Sequence, residues 1–374
     1  MTRSSYMRCV LTGLLSVAAA CAGAGGTNST VTSPGGGGGT TPTPPPPTAT
    51  AGINDAKVKV LSSNLIFPFN VLVDATNVYW NDASTGAVGA APISGTSSAT
   101  FLVAAGTAAG IDIAQDATNI YYTLNNFTMR KVPKAGGAST LLISNASGNP
   151  SPSGLVVAGG KVIFGMYVSG NGASSNSGPG LSAIMSIGTN GGAFTNVATS
   201  NNGASTAWML VATDGTNVYF GYNGSVTGNA IRSVPLSGGA AVNLLSEVGE
   251  MTAILAPATG AGAGSVFFAE RASGATSETL RKLSGSTVTV LATIITQGSL
   301  SIAADESFIY YPKYDSQSGG SVIAKQSLSS GAVTILVGSS ATNGVTAGVA
   351  VDASNVYWAA ARPTGSSIRS APKN

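Results

Sequence analysis

Few residues of this chain can do chemistry. No histidine occurs among its 374 residues, which removes Ser-His-Asp triads, imidazole-held metals and histidine acid–base catalysis. Its two cysteines, Cys9 and Cys21, both lie near the N-terminus. The remainder of the chain therefore has no thiol nucleophile, no thiolate metal ligand and no disulfide. Carboxylate, lysine, tyrosine and Ser–Lys chemistry are what is left. Asp74, Asp116, Asp214, Asp305 and Asp352 recur in one string and read as turn residues. Of the others, Asp82, Glu270 and Asp315 fall just after a large apolar strand, and Asp112 and Glu250 begin or precede an inner one. Trp208 precedes the strand Met209-Leu210-Val211, where an indole could stack on a sugar or peptide. Paired carboxylates serve hydrolysis or hold Ca²⁺ through oxygens. No spacing here places two together and no calcium-loop pattern appears. These six residues are ligand-face candidates that compete with a plainer reading as solvated loop charge or core. No catalytic residue, metal or cofactor is assigned.

The elements that must position them repeat. Asp352-Ala353-Ser354-Asn355-Val356-Tyr357-Trp358 is nearly duplicated by Asp74-Ala75-Thr76-Asn77-Val78-Tyr79-Trp80. Close copies start at Asp116 and Asp214, a looser one at Asp305, and degenerate ones end in Ile163-Phe164 and Phe267-Phe268. Seven copies at a period of roughly 40–55 residues indicate a repeat architecture. In each copy an alternating strand leads into an Asx-type turn. A strand of large residues buried on both faces comes next, then a variable loop and a third strand such as Ile231-Arg232-Ser233-Val234-Pro235-Leu236. A Gly turn and a fourth strand follow. Four antiparallel strands per repeat make a propeller blade. The expected fold is all-β, a seven-bladed β-propeller over residues 53–374, with six or eight blades as alternatives. The seventh copy lacks a fourth strand, and the orphan Lys57-Val58-Lys59-Val60-Leu61 is expected to supply it, closing the ring and hiding its edges. Trp80 and Trp358 are expected between blades. The segment from Val168 to Ser182 should enlarge the loop of blade three.

The Val-Tyr-Trp strand behind an Asp turn resembles YWTD-type and TolB-like propellers, and the chain looks most like propeller lipoproteins of Gram-negative bacteria. Only Trp80-Asn81-Asp82 approaches the full Tyr-Trp-Thr-Asp string. The resemblance implies a fold shared by hydrolases, lyases, lectins and scaffolds, so it does not choose a function.

Residues 1–21 read as an export signal, with Arg3 and Arg8 in front of an apolar stretch too short to span a bilayer. Ala18-Ala19-Ala20 before Cys21 resembles a bacterial lipobox, although Ala18 stands where Leu is usual. This implies a diacylated Cys21, a membrane anchor and an outer-membrane address, with ordinary cleavage and secretion as the alternative. Residues 22–52, with Gly35 to Gly39 and Pro44 to Pro47, form a tether reaching on the order of 30 Å. Only 8% of the chain is charged, against roughly 25% in ordinary soluble domains. Without Arg3 and Arg8 there are 15 basic against 14 acidic residues, and no Lys/Arg cluster to hold nucleic acid. The expectation is a monomeric, non-enzymatic binding or scaffold module for a protein, peptide or glycan. The alternative is a carboxylate-dependent hydrolase or lyase acting on extracellular polysaccharide.

Overall fold

Each copy of the repeat forms one four-stranded antiparallel sheet, and seven such sheets stand in a ring. The structure is a computed structural model. It describes residues 51–374 except 96–97, 145–151, 169–180, 201–207, 224–228, 247, 273–274, 296–299, 317–319, 343–344 and 363–364. Cys21, the export signal and nearly all of the tether lie outside the described residues.

Blades one to six take their strands in chain order from the channel outwards. They comprise β2–β5 (Pro68–Val73, Asn77–Asp82, Val88–Pro92, Thr100–Val103) and β6–β9 (Gly110–Gln115, Asn119–Leu124, Thr128–Pro133, Thr140–Ile143). Next come β10–β13 (Ser153–Ala158, Lys161–Val168, Leu181–Gly188, Thr195–Ser200) and β14–β17 (Trp208–Thr213, Asn217–Asn223, Ala230–Pro235, Val242–Ser246). Then follow β18–β21 (Glu250–Leu255, Ser265–Arg271, Ser277–Ser284, Thr287–Ile295) and β22–β25 (Ala303–Ala304, Phe308–Asp315, Gly320–Ser327, Val333–Val337). The seventh blade holds β26–β28 (Val345–Val351, Asn355–Ala361, Ser366–Pro372), and its outer strand is β1 (Lys59–Leu65). β1 lies antiparallel to β28, with Lys59 opposite Ser370 and Leu65 opposite Ser366. The orphan N-terminal strand does close the ring.

The core sits in the seams rather than inside the blades. Seven apolar clusters occupy the seven blade-to-blade interfaces. Side chains on a strand alternate between faces, so the second strand of a blade feeds two seams at once. Val78 and Trp80 pack towards blade seven while Tyr79 packs towards blade two. That is why three large residues in a row are buried there. Trp80 and Trp358 are 1% and 0% exposed, interblade core as expected, and the Trp358 indole N–H donates to the carbonyl of Thr342. Gly89 faces Trp80 across the ladder, where a Cβ would overlap the indole.

A closed ring still leaves seven outer strands exposed to solvent. The pairing of the third and fourth strands carries a bulge or register shift in every blade. Such bulges twist an edge away from further pairing.

Candidate functional site

Inner strands start on one face of the ring, here the upper face, and end on the lower. The lower face carries the repeated turns, and their chemistry is uniform. In Asp116 one carboxylate oxygen accepts the N–H groups of Thr118 and Asn119, and the other accepts the Tyr121 hydroxyl at 2.6 Å. The same arrangement joins Asp74 to Tyr79 at 2.9 Å, Asp214 to Tyr219 at 2.8 Å, Asp305 to Tyr310 at 2.8 Å and Asp352 to Tyr357 at 2.6 Å. Burial alone would raise these carboxyls. The backbone and hydroxyl donors outweigh it and hold all five below their ordinary value, Asp116 at about 2. The tyrosines move the other way, through burial and their aspartate partners, with Tyr79 pushed up to about 12. At two seams a lysine of the following blade clamps the pair, Lys134 to Asp74 at 2.8 Å and Lys373 to Asp305 at 2.6 Å. A cleft of about 440 Å³ opens between the turns of blades one and two, beside Asp74, Gln115, Asp116 and Lys134. Both of its carboxylates are already satisfied, so the face reads as scaffold.

The upper face holds the six candidates, and it does not gather them. Asp82 is 5% exposed. One of its oxygens accepts from the backbone N–H groups of Ser84 and Thr85 at 2.9 Å and the other from that of Phe67 at 2.7 Å. It closes a turn and holds the chain entering β2. Asp112 reaches from the inner strand of blade two to that of blade three. It accepts from the N–H of Ile113 and, at 2.8 Å, from the N–H of Leu155. Burial pushes its carboxyl up to about 6, against the pull of the Leu155, Ile113 and Gly154 N–H groups. Similar stitches join other inner strands, with Asn70 donating to the Ile111 carbonyl and Ser301 accepting from the Val349 N–H. Asp112 is thus one member of a set of bonds around the channel. Asp315 ends β23 opposite Gly320. Trp208 opens β14 opposite Asn223, and its side chain lies outside the described residues.

Glu250 and Glu270 share blade five, where the structure adds ion pairs that the sequence did not show. Glu270 accepts from the Gly249 N–H at 2.8 Å and pairs with Arg281 at 2.8 Å. Arg271, the next residue, points to the opposite face of the strand and pairs with Glu278 at 2.5 Å. Glu278 is 0% exposed and also accepts the Thr252 hydroxyl at 2.7 Å. The two Glu–Arg pairs therefore stand back to back, one towards blade four and one towards blade six. Buried carboxylates need such partners. The alternation of Glu270 with Arg271 and of Glu278 with Arg281 was visible in the sequence; their facing registers were not. Glu250 lies opposite Arg271 at the start of β18 and is half-buried. Among the described residues no three acidic side chains come close enough to hold a metal ion.

No family model and no curated protein matches the sequence. Solved structures do match the fold. An oligogalacturonate lyase in complex with manganese aligns with 87% of this chain and 96% of its own, at 11% identity and a TM-score of 0.61. The oligogalacturonate lyase of Vibrio parahaemolyticus gives the same coverage at 10% identity and a TM-score of 0.61. YCF48 bound to D1 peptide aligns with 85% of this chain and 96% of its own, at 7% identity and a TM-score of 0.55. At such identities the likeness establishes the propeller and nothing finer.

Proposed function

We propose that the protein is an exported, lipid-anchored envelope module that binds a peptide, protein or glycan on the upper face of its propeller and catalyses no reaction. The observation that carries this is the contrast between the two faces. The lower-face turns from first to second strand repeat one Asp-based design in five blades. The upper-face connections differ from blade to blade, from residues 125–127 in blade two to residues 169–180 in blade three. Variable loops on a rigid scaffold are where binding is placed. The propeller of YCF48, solved with a peptide bound, supports the same use of the fold.

A polysaccharide lyase or hydrolase is the second reading, favoured by the lyase neighbours and by the raised Asp112 carboxyl. Against it, both Asp112 oxygens are occupied by backbone N–H groups, and the chain has no histidine. Incubation with oligogalacturonate and manganese, followed at the absorbance of unsaturated products, should give no signal. A turnover abolished by Asp112→Asn would establish the enzyme instead. Binding itself is tested by printing the propeller against peptide and glycan arrays, where silence on both would remove the module reading. For the anchor, Cys21→Ala should move the protein from the membrane to the soluble fraction, and retention in the membrane would refute lipidation.

A further inference from the structure

Exposed large apolar side chains ring the outer edge of the propeller. Val60, Phe101, Leu141, Val242, Val290 and Val333 stand on the outer strands of six blades, each between 45% and 57% exposed. Apolar exposure alone therefore singles out no part of that edge. The N-terminal segment does. Ile53, 59% exposed, donates its N–H to the Ile335 carbonyl at 3.2 Å, and Asn54 donates to that of Leu336 at 3.0 Å. Both acceptors lie on β25, the outer strand of blade six, and Lys59 then opens β1 on blade seven. The described chain thus begins on the outer edge, where blades six and seven meet.

Charge is uneven there too. The third and fourth strands of blades six and seven, with residues 51–58, carry Lys57, Lys59, Lys325 and Arg369 against one acid, Asp55. Asp55 has both oxygens taken up by backbone N–H groups, those of Gly52 at 2.8 Å and Gly338 at 2.6 Å. Lys57 and Lys59 are exposed, and the four ion pairs among the described residues include neither. Blade two also has a basic third strand, but Ser139 engages Arg130, and Thr189 and Asn190 engage Lys131. Between Cys21 and Ala51 runs the tether, with a reach on the order of 30 Å. Such a tether presents the edge to its membrane at an effective concentration of roughly millimolar, so a weak contact is enough. Anionic headgroups attract neighbouring lysines within a Debye length, and apolar side chains beside them add burial at the headgroup boundary.

We infer that the edge at blades six and seven, through Ile53, Lys57, Lys59 and Val60, rests on an anionic phospholipid surface, so that the propeller stands edge-on to its membrane. Lys57 and Lys59 meet the phosphates, and Ile53 and Val60 lie at the headgroup boundary. In this orientation the upper face opens sideways, clear of the bilayer, and its connections stay free for a ligand. This rests on the lipid-anchored reading above and adds the surface that meets the membrane.

The test uses the chain from Cys21, which has no other thiol, coupled through that residue to a maleimide-bearing lipid in vesicles. The anchor is thereby imposed, and failure of lipidation in cells is read separately by the Cys21→Ala fractionation. Hydroxyl-radical oxidation, read by mass spectrometry, compares Ile53 and Val60 with Phe194 and Val242, exposed on blades three and four. Phosphatidylglycerol vesicles should lower oxidation of Ile53 and Val60 at least fivefold relative to phosphatidylcholine vesicles and leave Phe194 and Val242 unchanged. Salt at roughly 0.5 M should cancel the protection, because the lysines act through a screened field. The double variant Lys57→Glu, Lys59→Glu changes exposed side chains only. It should keep its unfolding midpoint and lose the protection. Equal oxidation on both lipids, or protection that survives in the variant, would overturn the edge contact. Ile66 is 61% exposed where the chain crosses the upper face from β1 to β2. Protection of Ile66 in place of Ile53 and Val60 would lay that face on the bilayer, overturning the edge-on orientation and the upper-face binding reading together.

Discussion

The aspartate–tyrosine pairs show how far a single residue could be read. An Asp at the start of each turn announces an Asx turn, and the bonds from Thr118 and Asn119 to Asp116 are that turn. The tyrosine five residues on was legible only as core. Yet the two blades whose turns lack the Asp, with Ala158 and Gly262 in its place, also carry Ile163 and Phe267 instead of Tyr. The pair is lost as a unit because a buried phenol needs the acceptor that the Asp supplies. Tyr121→Phe should therefore cost about 1–2 kcal/mol in chemical denaturation, the worth of a hydrogen bond to a charged group near solvent. Asp116→Ala should cost more, since it also strands two N–H donors. Equal losses would show that the hydroxyl carries the whole effect. The pH profile separates these aspartates from Asp112. A folded pKa below the ordinary value of 3.8 gives the turn aspartates a contribution present above that value and lost as pH falls below it. Asp112, raised to about 6, binds its proton more tightly in the folded state, so its carboxylate costs stability at neutral pH. Stability should rise as pH falls from 7 towards 5 and collapse below about 4. A thermal-shift series should show the first slope vanish in Asp112→Asn; an unchanged slope would place its origin elsewhere.

At the scale of elements the closure of the ring was legible and its latch was not. An orphan strand before the first copy and a missing strand after the last have one consistent solution, and β1 on β28 is that solution. Propensity did not single out the short turn preceding it. The residues Asp55–Lys57 form a single 3₁₀ turn between blades six and seven. Asn54, 1% exposed, donates to the Pro372 carbonyl at 2.8 Å, and Asp55 accepts the Gly338 N–H at 2.6 Å. These contacts join residues about three hundred positions apart, which no local pattern can encode. Deleting residues 53–61 removes the latch, the start of β1 that pairs with Ser370 and Arg369, and Leu61 from the seam that holds Ile368. The unfolding midpoint should fall by ten degrees or more, since several kcal/mol of seam packing go with it. An unchanged midpoint would mean that blade seven holds without the latch and the start of its fourth strand. Asn54→Ala alone should cost roughly 1–2 kcal/mol through the stranded carbonyl.

For the whole molecule, repetition made the architecture legible while the site stayed hidden, and the reason is geometric. Seam residues obey one rule in every blade, so seven imperfect copies correct one another. Binding residues obey no such rule, because each sits in a connection that differs from its neighbours. Asp82 was singled out for its place at the end of a large apolar strand, whereas its role depends on where Phe67 enters the inner strand beside it. The same division predicts which parts of the ring tolerate change. β11 and β12 pair without a register shift from Lys161–Gly188 to Val168–Leu181, so the ladder of blade three is complete before its connection begins. Lengthening or shortening a loop between paired ends changes closure entropy only slowly. Replacing residues 169–180 with the two-residue turn Asn-Gly, suited to a hairpin, should leave the unfolding midpoint within about two degrees of wild type. If the midpoint instead drops as far as it does on losing residues 53–61, the connection is part of the seam core and the upper face is not free to vary. A preserved midpoint together with loss of array signal would place part of the binding surface on the upper-face connection of blade three.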